Sequence, residues 1–550
     1  MTFKIALRAQ TLSVVTAAFL AIVCNVPLWS FTMAQQGFAL TLRCAAIVFA
    51  AYVCMLGLVA LPRVQKPVIA LLLLIAASVS YFISKYGVFI DSNMIRNAAQ
   101  TDRAEVADLM GLSFALWMAG VFVLPLVLLW RAEVIYPARG VAAAVQYARL
   151  PLLAALVALA VLWGGMQQLA PFYRNHREVR HMITPYNALA ASIKYARTDV
   201  LPRQQTSPRL ATPSRRAART QGEARRVVVF VVGETARAAN FSLGGYHRVT
   251  NPRLQARSEI VYFEQFTACG THTAFSVPCM FSSLGRKDFT LARFDGSDNL
   301  LSLVANAGVP AVWVDNNSGC KGVCDGIEII REDALAKTYP QYCRKGECYD
   351  EALVAALRAA LARKGDLFIV LHQKGSHGPL YHKRAPDSFA QFQPVCRQAD
   401  LGKCTRAQIV NAYDNSILYT DHVLDAVIGA LAQEPAAAVL YASDHGESLG
   451  EKGMYLHGAP YILAPSEQTH IPAMLWLSQG MRQAQDVSQD CLAAQGALPF
   501  SHDNIFATLL ELNGVETAAL KPADSLLAAC KRRQTAGALA PAATAPALQE

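Results

Sequence analysis

Apolar residues crowd the first third of the chain and then thin into short, regularly spaced runs. Five stretches are long and near-continuous in apolar character: 11–33, 38–61, 67–88, 112–130 and 148–168. Roughly 20 such residues on a helix cross the ~30 Å hydrocarbon layer of a bilayer. The first stretch has the look of an export leader. It lacks a small-residue cleavage site and four more stretches follow, so it reads as a retained span. The pattern predicts a membrane domain of five helices over 1–168, with a polar loop at about 85–111.

From 225 onward the period changes. Strands are predicted at 226–232, 309–314, 366–372, 437–442 and 472–477, and longer helices at 350–364, 407–432 and 501–513. Strands alternating with helices predict an α/β domain over 225–530, with a mainly parallel sheet between helices. Between the two domains, Phe172, Tyr173, Tyr186 and Tyr195 stand among charges in 169–196, which suits an interfacial helix. Residues 197–226 hold eight arginines against Asp199 and Glu223, with prolines at 202, 208 and 213. That is a basic, extended linker, and 169–224 joins the domains. The tail at 531–550 is rich in Ala and Pro and is expected to be disordered. There is no internal repeat.

Charge orients the membrane domain. Lys4 and Arg8 precede the first span, Arg63 and Lys66 link the second and third, and Arg131, Arg139 and Arg149 link the fourth and fifth. All fall on one side if the N-terminus is cytoplasmic. Five spans then put everything after about 168 outside. The net charge of +10 would ordinarily suggest nucleic acid as partner; export removes that reading, and the linker arginines suit anionic lipid instead.

Cysteines bear on the same point. Cys24, Cys44 and Cys54 lie in the spans, and ten others lie beyond residue 268. An even number in an exported domain implies disulfides. Near neighbours suggest Cys269–Cys279, Cys320–Cys324, Cys343–Cys348 and Cys396–Cys404, leaving Cys491–Cys530. The alternative is a cysteine metal site at CKGVC.

Ligands of open α/β sheets bind beyond the carboxyl ends of the strands. Those ends carry Glu234 and Thr235, then Asp315 to Gly319, then 373–378 with His377, then 443–447 with Asp444 and His445. Glu234, Asp444 and His445 offer two carboxylates and an imidazole, a set suited to zinc with one position open. Taken singly, an Asp-His pair is more often a helix cap and a surface imidazole. The candidate for the open position lies in CGTHTAFSVPCM at 269–280, where Thr271, Thr273 and Ser276 are all chemically able. Metal coordination makes such a hydroxyl a competent nucleophile.

GETAR at 233–237, CGTHTAFSVPCMFS at 269–282, DNNSGCKGVC at 315–324, GSHGP at 375–379, SDHGESLGE at 443–451 and LHG at 456–458 resemble the phosphoethanolamine transferases. More narrowly, they are similar to the lipid A phosphoethanolamine transferases of Gram-negative inner membranes, including those that give polymyxin resistance. The resemblance implies an alkaline-phosphatase/sulfatase-like catalytic domain in the periplasm. It implies zinc held by Glu234, Thr273, Asp444 and His445, with Thr273 as nucleophile. Ser318, Lys321, His377 and His457 become substrate-side residues; the two histidines either hold a second zinc or act as acid and base. It also implies the four short-range disulfides. Phosphatidylethanolamine is the implied donor, lipid A or lipopolysaccharide the acceptor, diacylglycerol the by-product, and a monomer the expected state. In NAAQTDRAE, Asn97, Thr101 and Glu105 recur every four residues and share a helix face; the resemblance assigns them to the donor's head group. One departure is His272, just before the nucleophile.

Other readings are a transferase for another head group, such as phosphoglycerol, or for a core heptose. A sulfatase needs Cys/Ser-x-Pro-x-Arg, and SVPCM lacks the arginine. A transporter needs interior charges that these spans scarcely carry, and a lipid receptor has no need of the Glu234, Asp444 and His445 set.

Overall fold

The structure is a computed structural model and describes residues 5–101, 106, 108–137, 141–197, 212–218, 223–295, 297–344 and 347–531. Glu105, Arg139, most of the linker and all but the first residue of the tail lie outside it.

The membrane domain is built from α1 (Ala9–Val23), α2 (Val26–Leu58), α3 (Gln65–Tyr86), α4 (Ser92–Gln100), α5 (Leu112–Arg131) and α6 (Val141–Asn175). Among the described residues four of these, α2, α3, α5 and α6, are long and apolar enough to cross a bilayer, one fewer than expected. The reason lies in two breaks. Asn25 interrupts the first apolar stretch, its side chain donating to Leu20 O and Thr184 O at 2.9 and 2.8 Å and accepting from Thr184 N at 2.9 Å. This leaves α1 with 15 residues. Gly37 then breaks α2 internally, with φ 73° and ψ −171°. Ser13 donates to Leu56 O and Asn25 to Tyr52 OH, contacts nested about Gly37 as in an antiparallel hairpin. Leu116, Leu152, Leu156 and Trp163 face outward, as a lipid-facing surface would. Phe172, Val179 and Met182 pack on the helices, and α7 (Tyr186–Tyr195) lies beside α4.

The second domain is a seven-stranded mixed sheet with helices on both faces. Its strands are β1 (Arg226–Gly233), β2 (Ile260–Phe263), β3 (Ala311–Asp315), β4 (Glu328–Ile330), β5 (Leu367–His372), β6 (Ala436–Ser443) and β7 (Ala473–Leu477), in the order β2-β7-β6-β1-β5-β3-β4. From β6 to β4 the pairings are parallel, whereas β7 runs antiparallel to both β6 and β2. The mainly parallel expectation therefore holds for five strands and fails at one edge. Alternation within β1 sends Val228, Phe230 and Val232 into one apolar cluster and Val227, Val229 and Val231 into the other. A strand buried on both faces reads as a continuous apolar run for this reason.

Ion pairs join the domains at the end of α3. Lys85 pairs with Asp400, and Lys383 and Arg384 reach Asp108 at 2.6 and 3.6 Å.

Candidate active site

β1 can end on a carboxylate because the sheet stops there and the chain turns. Gly233 is required by packing, since a Cβ would lie 2.6 Å from the Tyr441 ring. Thr235 then takes φ 58°, which turns the chain off the line of the strand and leaves Glu234 at the strand end. Its Oε1 accepts from Thr235 Oγ1 at 2.9 Å and its Oε2 from Asn317 Nδ2 at 2.8 Å. From the end of β6 come Asp444 and His445. Asp444 Oδ1 accepts from the backbone of Thr235 and of His445, while Oδ2 is buried with no hydrogen-bond partner. His445 Nδ1 donates to Gly446 O at 2.9 Å, so Nε2 presents a lone pair. That lone pair faces Asp444 Oδ2 at 3.3 Å and Glu234 Oε1 at 3.5 Å.

Three buried acceptors aimed at one point repel one another. Burial, with the adjacent Glu234 charge, pushes Asp444 well above the usual carboxylate range, and burial holds His445 well below the usual imidazole range. A cation at that point would satisfy the orphaned Oδ2 and the lone pair together. Ligand atoms of Glu234, Asp444 and His445 lie within 4.8 Å of one another, and their chemistry fits zinc.

Of the three hydroxyls in the disulfide loop, Thr273 meets this triad. Its Oγ1 stands 3.2 and 3.3 Å from the Glu234 oxygens and 3.3 Å from His445 Nε2. Thr271 donates instead to Ala459 O, and Ser276 is buried without a partner. Thr273 opens the helix α8 (Thr273–Met280), whose N-terminal N–H groups favour an anion there. The Cys269–Cys279 disulfide ties the loop to the far end of that helix. Disulfides also join Cys320–Cys324, Cys343–Cys348, Cys396–Cys404 and Cys491–Cys530. His272 is buried beside Thr273, and burial pulls its pKa down to about 3.

The His457 ring lies 4.3 Å from that of His445, tilted by 44°, and meets that of His377 edge-on at 5.6 Å. Both His377 and His457 line an apolar cavity of about 380 Å³, walled by Phe82, Tyr86, Ile90 and Met94 and reached by Asn97 and Thr101. Ser318 and Lys321 lie on the loop after β3, where Lys321 Nζ donates to Ser318 O and to Gln100 O of α4.

Sequence reasoning missed the supports. Asn317 bridges Glu234 and Gln373 O at 2.8 and 2.7 Å. Glu447 is fully buried, accepting from Tyr381 OH at 2.6 Å and from His457 Nδ1 at 2.9 Å. His502 accepts from Cys269 N at 3.0 Å and donates to Ser443 O at 2.9 Å. Asn317 and Glu447 sit inside the quoted strand-end motifs, which was the available signal; His502 carried none.

Sheet, strand-end site and membrane helices together define a membrane-bound enzyme of the sulfatase type, and residues 226–515 match the sulfatase family profile. Residues 48–200 match the profile of the phosphoethanolamine transferases EptA/EptB. The chain is 38% identical over 480 residues to phosphoethanolamine transferase EptA of Escherichia coli K12, covering 85% of this chain and 86% of that relative. It is 36% identical over 510 residues to phosphatidylethanolamine transferase Mcr-1 of Escherichia coli, covering 88% and 90%. It superposes with a TM-score of 0.91 on the integral membrane lipooligosaccharide phosphoethanolamine transferase A of Neisseria meningitidis, at 36% identity over 96% of this chain and 100% of that one. The chain belongs to the phosphoethanolamine transferase family.

Proposed function

We propose that this enzyme moves phosphoethanolamine from phosphatidylethanolamine to lipid A on the periplasmic face of a Gram-negative inner membrane. In this reading the chain crosses the membrane five times from a cytoplasmic N-terminus. The two breaks at Asn25 and Gly37 support that count, since 9–36 and 38–58 then form two arms of one hairpin.

The observation that carries the reading is the apolar cavity whose polar end is His377 and His457, the latter with its ring 4.3 Å from that of His445. The glycerol end of a diacyl lipid fits such a space, with its phosphate toward Thr273 and its acyl chains left to run out into the bilayer. Zinc held by Glu234, Asp444, His445 and Thr273 would make the threonine hydroxyl acidic and offset charge on the phosphoryl oxygens. Thr273 Oγ1, its proton given up to solvent, attacks phosphorus, the P–O bond to diacylglycerol breaks, and phosphoethanolamine stays on Thr273. His457, its Nδ1 held by Glu447, supplies the leaving oxygen's proton. A lipid A phosphate oxygen then attacks and frees the threonine. Lys321 sits where it would offset anionic charge on entering substrate. The transferred group caps an acceptor phosphate and brings an ammonium, which lowers the net negative charge that polymyxins and other cationic peptides seek.

Lipid A mass spectra from cells expressing Thr273→Ala test this. The expected result is complete loss of the phosphoethanolamine adduct with normal protein levels. An undiminished adduct would refute the assignment.

A further inference from the structure

At the end of the membrane domain away from the catalytic site, the chain builds a second pocket that the transfer reaction does not use. α3 fixes the geometry. Its C-terminal end touches the catalytic domain through Lys85 with Asp400 and Tyr86 OH with Ala399 O. Its N-terminal end is 22 residues away, about 33 Å at 1.5 Å per residue. There the loop before α3 and the end of α5 enclose a cavity of about 570 Å³, lined by Arg63, Lys66, Trp130, Arg131, Glu133 and Tyr136. A two-stranded parallel ribbon, Ile5–Arg8 with Ala132–Ile135, fixes the chain leaving α5.

Three cations face one carboxylate in this pocket. Lys66 is positioned, its Nζ donating to Ala132 O at 2.6 Å and lying 5.7 Å over the Trp130 ring. Among the described residues neither Arg63 nor Arg131 makes an ion pair, although Glu133 shares the cavity. Arg63 also holds φ 67°, a conformation that costs a non-glycine residue energy and persists where surroundings enforce it. Trp130 and Tyr136 are the residue types that settle at lipid head-group depth. Two unpaired guanidinium forks and an ammonium, at that depth and beside an indole, match a phosphodiester that an anionic lipid presents.

We propose that this pocket binds the head group of an anionic phospholipid in the leaflet opposite the catalytic domain. The inference rests on the proposed topology only in naming that leaflet cytoplasmic.

The test uses purified full-length protein in mixed micelles of phosphatidylglycerol and phosphatidylcholine, with retained lipid counted by native mass spectrometry. One phosphatidylglycerol per chain is expected, with phosphatidylcholine retained at least tenfold less. Arg63→Gln with Arg131→Gln should lower retention at least tenfold. Arg8→Gln with Arg149→Gln, from the neighbouring cavity on the same face, removes the same charge and should change it less than twofold. Arg131→Lys, which keeps the charge, should keep most of the lipid, and unchanged phosphoethanolamine transfer shows that each variant is folded. Equal losses in the two double variants, or equal retention of both lipids, would overturn the proposal. So would displacement of the lipid by millimolar inorganic phosphate, which would make this a free-phosphate site. Micelles have no leaflets, so failure of the topology and failure of this site are separate results.

Discussion

Glu234 depends on neighbours that each correct one problem of placing a carboxylate at a buried strand end. Thr235 and Asn317 satisfy one side of it, and the convergence with Asp444 and His445 leaves the other side for a cation. Asn317→Ala should therefore let Glu234 turn away. The expected outcome is a loss of about 10–100-fold in zinc affinity, as for other groups that orient metal ligands. Chelator competition measures it, and unchanged affinity would reduce Asn317 to a loop residue. His502 carries a pH dependence. Burial lowers its pKa to about 4, against about 6.5 in the unfolded chain. The folded state thus binds fewer protons, so its stability contribution is complete above pH 6.5 and is lost as pH falls toward 4. The full term is about 3 kcal/mol at 1.36 kcal/mol per pH unit. His502→Gln removes that titration, so thermal unfolding of the full-length protein should show the wild-type advantage shrinking from pH 7 to pH 4. An advantage independent of pH would contradict the assignment. Glu234, Asp444 and His445 were legible because each follows an apolar run. Asn317, Glu447 and His502 were not, because an amide, acid or imidazole in a loop declares its role only through a partner far along the chain.

Elements were legible where burial was symmetrical and less so where it was not. The run from Val227 to Val232 could only be a central strand, and 226–232 became Arg226–Gly233. The edge strands Ile260–Phe263 and Glu328–Ile330 were missed, being four and three residues long. In the membrane domain hydropathy marked the apolar stretches but not that Asn25 would leave the first helix for Thr184. The loop bearing His377 is set by Gly375, at φ 53° and so close that a Cβ would lie 2.5 Å from Glu234 O. Gly375→Ala should cost about 1–3 kcal/mol of stability and at least a tenfold loss of transfer, read by thermal unfolding and by lipid A product. The loop-to-helix crosslink gives a matching expectation. Changing both Cys269 and Cys279 to Ser should destabilise by about 2–3 kcal/mol, with a larger loss of activity than of folded protein.

At the scale of the whole molecule, the cavity proposed for the donor is shared: α3 and the loop around α4 supply its apolar wall, and the catalytic domain supplies its two histidines. Asp400 holds this joint, buried at 8% exposure, with Lys85 beside it, Ser113 at 3.3 Å and Lys403 at 3.8 Å. Asp400→Ala should raise KM for phosphatidylethanolamine about tenfold, roughly 1.4 kcal/mol, while hydrolysis of a water-soluble phosphodiester is unchanged. A fall in both would place the defect in the catalytic domain. The account as a whole turns on Thr273 carrying the transferred group. Full-length enzyme incubated with phosphatidylethanolamine and no acceptor, quenched in acid and digested, gives the direct reading by peptide mass spectrometry. The account predicts one phosphoethanolamine on the peptide containing Thr273, placed on that residue by fragmentation and released when lipid A is added. A modified residue elsewhere, or transfer to lipid A from an enzyme never modified at Thr273, would contradict it.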